Sequence, residues 1–284
     1  MEFEPVSWRL IYSPATNGAW NMAIDEAILE AVGRRHVPPT LRLYSWEPPC
    51  LSLGYAQPFS DVDLSALGSF GWDLVRRPTG GRAILHTDEL TYSVIGPLDE
   101  PRLAGSVLDS YRVLSAALLE ALHCLGIPAV SLAEPGKVTQ SVFPGMISGN
   151  NKGPVCFEVP SNYEITVAGK KLVGSAQARR KDGILQHGSF PLHGDLARIT
   201  QALAFPDAIS RAQAAHRLQE RATTAEKILG HPLDWETAAQ AFAEAFSNVL
   251  NLELHSGSLT PAEQSRAKEL VMTKYASASW TERV

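Results

Sequence analysis

Two stretches of the chain carry apolar residues at a helical period. From Trp20 to Ala31 they recur every three or four positions, with acidic residues between them. This spacing predicts an amphipathic helix, because it puts the apolar side chains on one face. A second run, from Val107 to Leu125, has the same period and stops at Gly126 and Pro128, residues that commonly end helices.

Short segments between these helices are rich in apolar residues and predict strands. Prolines and glycines separate them and interrupt regular structure. The predicted strands are Thr40–Tyr44, Cys50–Tyr55, Trp72–Arg76, Ala83–His86 and Glu89–Ile95.

The region after the second helix lacks periodicity. Residues 131–153 hold many Gly, Pro and Asn residues and predict a long loop, a feature that is often functional. A hairpin follows, with strands Tyr163–Val167 and Lys171–Gln177 around a turn at Ala168-Gly169. Because side chains alternate along a strand, Lys170 and Lys171 point to opposite faces, and we expect one of them to reach the interior.

The last third of the chain is mainly helical in pattern. A stripe from Trp235 to Val249 follows Asp234, a suitable N-cap, and Thr260-Pro261-Ala262-Glu263 has the form of a capping box. The order of elements predicts an α+β fold. We expect a core with the sheet and the active site over residues 1–195 and a helical C-terminal part of the same domain over residues 196–284.

Composition limits the classes of function. The 284 residues are 45% hydrophobic and 19% charged, with a net charge of −5, which is typical of a soluble globular protein and unlike a nucleic-acid binder. Three cysteines without paired spacing favour neither disulfides nor a zinc site and suit a reducing cytoplasm. We expect no export signal and no membrane partner, since the N-terminus is acidic and no apolar run reaches ~20 residues. A monomer is the default expectation.

Cys156 and Lys171 are the candidate catalytic residues, fifteen positions apart along the chain. A nearby ammonium group lowers the pKa of a thiol and favours the nucleophilic thiolate. The alternative is that Cys156 is an inert core residue and Lys171 a solvated hairpin lysine. Cys50 and Cys124 have no companion motif, and we interpret both as packing residues.

Two further segments are candidates for substrate binding. A turn rich in glycine and arginine offers bare backbone and cations to a phosphate or carbonyl oxygen, although most such turns only connect strands. A run of small residues on the hairpin leaves room for a narrow acyl chain, or reflects ordinary close packing. We interpret His187 as structural. The candidates are Arg77, Thr79, Gly80, Gly81, His86, Gly174, Ser175 and Ala176.

These motifs together resemble the lipoate-protein ligase and octanoyltransferase superfamily, which shares its catalytic fold with biotin protein ligase. The resemblance covers about residues 7 to 280. ATP-dependent ligases of the superfamily have no nucleophilic cysteine at this place, and the shorter octanoyltransferases carry theirs after the lysine. This chain has no cysteine after Cys156 and so resembles the remaining, cysteine-dependent octanoyltransferases. The segments that carry the likeness are 21–27, 53–57, 76–86, 155–177 and 184–189.

The resemblance implies mixed, largely antiparallel sheets flanked by helices. It also implies ping-pong octanoyl transfer from octanoyl-acyl carrier protein, through a Cys156 thioester, to a lysine of a lipoyl domain such as the glycine cleavage H protein. Lys171 would lower the pKa of Cys156 and polarise the thioester, while the glycine turn would hold the octanoyl group and the pantetheine arm. We expect no ATP, metal or other cofactor.

Three alternatives remain open at this stage. An ATP-dependent lipoate or octanoate ligase would make product only with ATP. An amidotransferase would accept octanoylated H protein as its donor. A non-enzymatic lipoyl-domain binding module would keep binding when Lys171 is replaced.

Overall fold

The structure is a computed structural model that describes residues 3–132 and 164–284. Within these residues it contains eleven β-strands and eight α-helices. The strands are β1 (Val6–Tyr12), β2 (Thr40–Tyr44), β3 (Cys50–Leu53), β4 (Asp73–Arg76), β5 (Ile84–His86), β6 (Glu89–Gly96), β7 (Val130–Leu132), β8 (Glu164–Val167), β9 (Lys170–Arg180), β10 (Gly183–Pro191) and β11 (Leu252–Ser256). The helices are α1 (Gly18–Gly33), α2 (Leu64–Phe70), α3 (Val107–Cys124), α4 (Ala208–Arg221), α5 (Ala225–Leu229), α6 (Trp235–Leu250), α7 (Pro261–Leu270) and α8 (Ala278–Thr281).

Eight strands form a large mixed sheet in the order β11-β1-β2-β6-β10-β9-β8-β7. Strand β1 runs parallel to β11 and β2, and the other neighbouring pairs are antiparallel. At the centre, His187 of β10 lies opposite Ser93 of β6 and Ala176 of β9. Directly opposed residues share a face of the sheet, so this register groups side chains from three strands.

A smaller sheet has the order β4-β3-β5, with β4 parallel and β5 antiparallel to β3. The loop of residues 77–83 joins β4 to β5. Gly54 follows β3 so closely against this loop that an added Cβ would lie 2.0 Å from the carbonyl oxygen of Gly81. Only glycine permits this approach, and the contact fixes the loop beside β3.

Helices cover both faces of the large sheet. On one face α3 packs against α6, and Tyr92 of β6 meets Phe242 and Phe246 of α6. On the other face α1 and α7 pack together over a core that includes Ile95 and Leu185. Burial of each large apolar side chain contributes about 1.5–3 kcal/mol, so these two cores hold the sheet rigid.

The capping residues predicted at the starts of α6 and α7 form the expected hydrogen bonds. Asp234 accepts a hydrogen bond from the backbone N–H of Thr237 at the start of α6. Thr260 and Glu263 form the predicted capping box of α7. The Glu263 carboxylate also forms a buried ion pair with Arg9 of β1 at 2.6 Å, which ties α7 to the large sheet.

The predicted α+β class is confirmed, with mixed, largely antiparallel sheets and flanking helices. The strand predicted over Cys50–Tyr55 ends at Leu53, where the close contact at Gly54 begins. The predicted loop over residues 131–153 is wrong at its start, because Ser131 lies in β7. The rest of that loop lies outside the described residues.

Strands β1, β10 and β11 were not predicted. Four consecutive residues of β1 and all residues of β10 are buried, so neither shows the alternation of a half-exposed strand. Strand β11 lies in the part whose pattern is mainly helical, and it pairs with β1 from the other end of the chain. Among the described residues, no helix has the length and apolar character needed to cross a membrane.

Candidate active site

The loop between β4 and β5 is held in place by its own arginine. Arg77 is 3% exposed, and its Nη2 donates to the carbonyl oxygens of Gly80 and Arg82 at 2.8 and 2.7 Å. Its Nη1 donates to the carbonyl oxygen of Ser52 on β3 at 3.0 Å. Gly81 adopts a φ of +93°, a conformation that favours glycine. These contacts give Arg77 a part in shaping the loop as well as in lining the space beside it.

A narrow cavity of about 40 Å³ lies between this loop and the large sheet. Apolar side chains and the small residues of β9 and β10 form much of its wall, a lining that suits an apolar group. Six of the predicted binding residues line it: Arg77, Gly81, His86, Gly174, Ser175 and Ala176. The other lining residues are Met22, Trp46, Ser52, Ile84, His187, Gly188 and Ser189.

A chain of buried hydrogen bonds passes through His86. Its Nδ1 lies 2.7 Å from Oε1 of Glu89, and its Nε2 lies 2.8 Å from Oγ of Ser52. Arg77 donates from Nη1 to the same Ser52 hydroxyl at 3.1 Å. With Glu89 ionised, His86 donates from Nδ1 to this carboxylate, and its Nε2 shares a hydrogen bond with the Ser52 hydroxyl. The ring of Trp46 stacks on His86 with centroids 4.0 Å apart, which fixes the plane of the imidazole.

Glu89 lies at the core end of this chain of hydrogen bonds. Burial by itself raises the pKa of this carboxyl group, but His86 and the hydroxyl groups of Ser189 and Thr91 outweigh that effect and hold the pKa below its ordinary value. Glu89 is only 5% exposed, and because its pKa is lowered it is a buried anion at neutral pH. The network links a core carboxylate, through His86 and Ser52, to the arginine that shapes the loop.

A second histidine reaches the same loop from β10. Nε2 of His187 lies 2.7 Å from Oγ1 of Thr79, a predicted binding residue that does not line the cavity itself. Nδ1 of His187 lies 3.6 Å from Oδ2 of Asp25 on α1. Burial lowers the pKa of His187 despite this carboxylate, so the imidazole is neutral at neutral pH. Asp25 is itself fully buried and paired with Arg42 at 2.7 Å.

Lys171 is the hairpin lysine that reaches the interior. It is 5% exposed, and its Nζ lies 2.7 Å from Oε1 of Glu164. Lys170 is exposed and donates to the carbonyl oxygen of Gln219. The expectation that one of the two lysines is buried is confirmed. Cys156, the predicted nucleophile, lies outside the described residues.

The two described cysteines are poorly suited to act as nucleophiles. Burial raises the pKa of Cys50 well above its ordinary value, with added effects from Asp73 and Glu89. Desolvation and the nearby carboxylate of Glu120 raise the pKa of Cys124. Cys124 is exposed, so its interpretation as a packing residue is wrong, while Cys50 is buried as expected.

Gly80 does not line the narrow cavity. It lines a wider, open pocket of about 400 Å³ on the outer side of the loop, which we call the basic pocket. Gly81 lines both the basic pocket and the narrow cavity. The basic pocket is formed by residues 55–57, 78, 80–82 and 177–180.

Several residues at the site escaped the prediction from sequence. Ser52 is an isolated polar residue in an apolar segment, whereas Asp25 and Glu89 each stand beside another acidic residue. Hydrogen bonds join Ser52 to His86 and Asp25 to Ser93, residues that are distant in sequence. A buried polar residue in an apolar strand is the one signal the sequence offered. His187 was interpreted as structural, and the structure places it at the cavity wall.

Comparison with known proteins places the chain in a family. Residues 17–247 match the family model for the lipoyl protein ligase A/B catalytic domain. The chain is 42% identical to "Octanoyltransferase LipM" of Kyrpidia tusciae, covering 98% of this chain and 99% of that protein. It is 40% identical to "Octanoyltransferase LipM" of Symbiobacterium thermophilum, covering 98% of each.

The fold is similar to that of a solved ligase. The bi-partite lipoate protein ligase of Thermoplasma acidophilum matches with a TM-score of 0.76 and 25% identity, covering 98% of this chain and 96% of that one. Full-length identity above 40% to a relative and the match to the family model agree with this likeness. The chain therefore belongs to the lipoyl protein ligase A/B catalytic domain family and, within it, to the octanoyltransferases of lipoate biosynthesis.

Proposed function

We propose that this octanoyltransferase works through an acyl-cysteine at Cys156, with octanoyl-acyl carrier protein as donor and a lipoyl-domain lysine as acceptor. The glycine cleavage H protein is the acceptor we propose. One observation carries the proposal: Lys171, a buried cation, lies on the strand whose next residues, Gly174–Ala176, line the narrow cavity. Three residues of strand span roughly 10 Å, which brings a positive charge near the end of an acyl chain held there.

The proposed chemistry has two steps. The Cys156 thiolate attacks the thioester carbonyl of the donor, and the pantetheine sulfur leaves and takes up a proton. The neutral amine of the acceptor lysine then attacks the new thioester, loses a proton and forms an amide as the Cys156 thiolate leaves. A thioester is exchanged for a thioester and then for a more stable amide, so neither step needs ATP.

Lys171 and the loop between β4 and β5 would have separate roles in this reaction. In this proposal Lys171 stabilises the thiolate and the developing charge on the carbonyl oxygen. Arg77, Gly81, His86 and the small residues of β9 hold the octanoyl chain, with Thr79 and Gly80 shaping the loop. A cytoplasmic location is part of the proposal, because a reactive thiol persists in a reducing compartment.

Intact mass spectrometry after incubation with octanoyl-acyl carrier protein tests the proposal. We expect one octanoyl adduct in the wild type and in Cys124→Ser, and no adduct in Cys156→Ser. An adduct that persists in Cys156→Ser contradicts the proposed nucleophile. Product that appears only with ATP would identify a ligase, and efficient transfer from octanoylated H protein would identify an amidotransferase.

A further inference from the structure

The basic pocket carries positive charge without a matching acid. Its lining includes Arg82, Arg179 and Arg180 and no aspartate or glutamate. Arg82 and Arg180 form no ion pair with any carboxylate in residues 3–132 and 164–284. Arg179 is engaged with the carbonyl oxygens of Leu103 and Gly105. The charge that faces the pocket therefore comes chiefly from Arg82 and Arg180.

The C-terminal segment adds a further cation. The guanidinium carbon of Arg283 lies 4.0 Å from the ring centroid of Tyr55, and that of Arg180 lies 5.4 Å from the same centroid. Tyr55 thus lies close to two arginines at the pocket wall. A hydrogen bond and the charge of Arg283, with a smaller effect of Arg180, lower the pKa of the Tyr55 phenol.

A further arginine lies behind the wall of the basic pocket. Arg76 is fully buried, and its hydrogen bonds go to backbone carbonyl oxygens, including those of Gly54 and Gln57 at 2.8 and 2.6 Å and that of Thr281. No carboxylate of the described residues pairs with it. Carbonyl oxygens rather than a carboxylate therefore stabilise the Arg76 guanidinium, and its positive charge remains behind residues 55–57.

We propose that the basic pocket binds the phosphate group of the acyl donor, the phosphodiester that joins a pantetheine arm to its carrier protein. Arginine is well suited to phosphate, because its planar N–H groups match two phosphate oxygens. Gly81 borders both spaces, so a donor with its acyl chain in the narrow cavity can extend its arm past the loop into this pocket. The inference rests on the proposed function, since it assumes a pantetheine thioester as donor.

Two small donors test it: octanoyl-pantetheine and octanoyl-4′-phosphopantetheine, which carry the same thioester and differ in the phosphate. We expect the wild type to favour the phosphorylated donor by about ten- to a hundredfold in kcat/KM, as for hydrogen bonds to charged groups. In the double variant Arg82→Gln, Arg180→Gln, which removes the two arginines that supply most of the pocket's charge, this ratio should fall toward one. Arg217→Gln, an exposed arginine of α4 outside the pocket, is the matched control and should keep the preference.

The outcomes separate this inference from the proposed function. Equal use of the two donors by the wild type, or a preference that survives in the double variant, overturns the phosphate site while octanoyl transfer stands. If the arginine replacements weaken the use of octanoyl-adenylate but leave the use of both pantetheine donors unchanged, the basic pocket binds the phosphate of an adenylate. That result overturns the proposal.

A binding measurement tests the proposed phosphate site without requiring catalysis. Calorimetry on Cys156→Ser should show about tenfold or tighter binding of 4′-phosphopantetheine than of pantetheine, and this difference should be lost in the arginine double variant. If the wild type transfers octanoate from none of the donors, the proposed function fails, and this binding difference still supports or overturns the phosphate site.

Discussion

Lys171 and Glu164 form an ion pair across the β8–β9 hairpin, with Nζ 2.7 Å from Oε1 and side-chain exposures of 6% and 10%. The lysine that we propose to stabilise a thiolate is thus partnered by a carboxylate. A Cys156 thiolate would share the Lys171 charge with Glu164. The two residues should therefore affect the thiol in opposite directions.

Replacement of Lys171 should suppress the reactivity of Cys156. In Lys171→Met the cation is lost and Glu164 keeps its negative charge, so the thiolate fraction falls. We expect alkylation of Cys156 by iodoacetamide at pH 7 to slow by about tenfold or more, equivalent to one pKa unit. Lys170→Met removes an exposed neighbouring lysine and should alkylate at the wild-type rate.

Glu164→Gln should have the opposite effect on Cys156. The lysine then keeps its charge without this carboxylate, and the thiolate fraction at pH 7 rises. Alkylation should be faster than in the wild type, and the free energy of unfolding should fall by about 1–3 kcal/mol because a buried charged hydrogen bond is lost. Slower alkylation in a folded Glu164→Gln protein would argue against a Lys171–Cys156 interaction.

Glu89 should contribute to stability in a pH-dependent way. Its pKa lies below the ordinary 4.5, so this stabilisation is present above pH 4.5 and is lost as the pH falls toward the pKa of the folded state. Urea unfolding of wild type and Glu89→Gln at several pH values between about 7 and 3.5 measures the contribution of Glu89 to the free energy of unfolding. The variant should lose less stability than the wild type over that range, and equal losses would contradict the assignment.

His187 should remain neutral where an ordinary histidine becomes charged. Its pKa is lowered from 6.5, chiefly by burial, so the folded state resists protonation that the unfolded chain accepts. Stability linked to His187 is therefore lost as the pH falls below 6.5. NMR of labelled histidine should show His187 in the neutral form at pH 6, and a charged His187 at that pH would refute this.

The narrow cavity should select acyl-chain length. Ala176→Leu adds a branched side chain to its wall, so transfer of octanoate should fall by about ten- to a hundredfold while butanoate is less affected. Activity with a series of acyl thioesters measures the change in preference. Ala212→Leu on the exposed side of α4 should keep the wild-type preference, and an unchanged preference in Ala176→Leu would place the acyl chain elsewhere.

Local patterns determined much of the fold from sequence alone. The helical period identified α1, α3 and α6, and the capping residues Asp234 and Thr260 marked two helix starts, because these signals act over a few neighbouring residues. The motif resemblance indicated the family and the residues of the glycine loop. Strands β1 and β11 escaped, because their pairing joins the two ends of the chain and leaves no local period.

The sequence indicated candidate residues for the chemistry, and the tertiary structure decided how the described ones are arranged. Nothing in the chain order brings Glu89, His86, Ser52 and Arg77 into one hydrogen-bonded network, which the pairing of β3 with β5 assembles. The loop's two glycine-lined spaces likewise exist only once β9 and residues 55–57 pack on either side of it. Spatial neighbours far apart in sequence are set by packing and strand register, and this is why only the fold could reveal Glu164 beside Lys171 and Arg180 beside Tyr55.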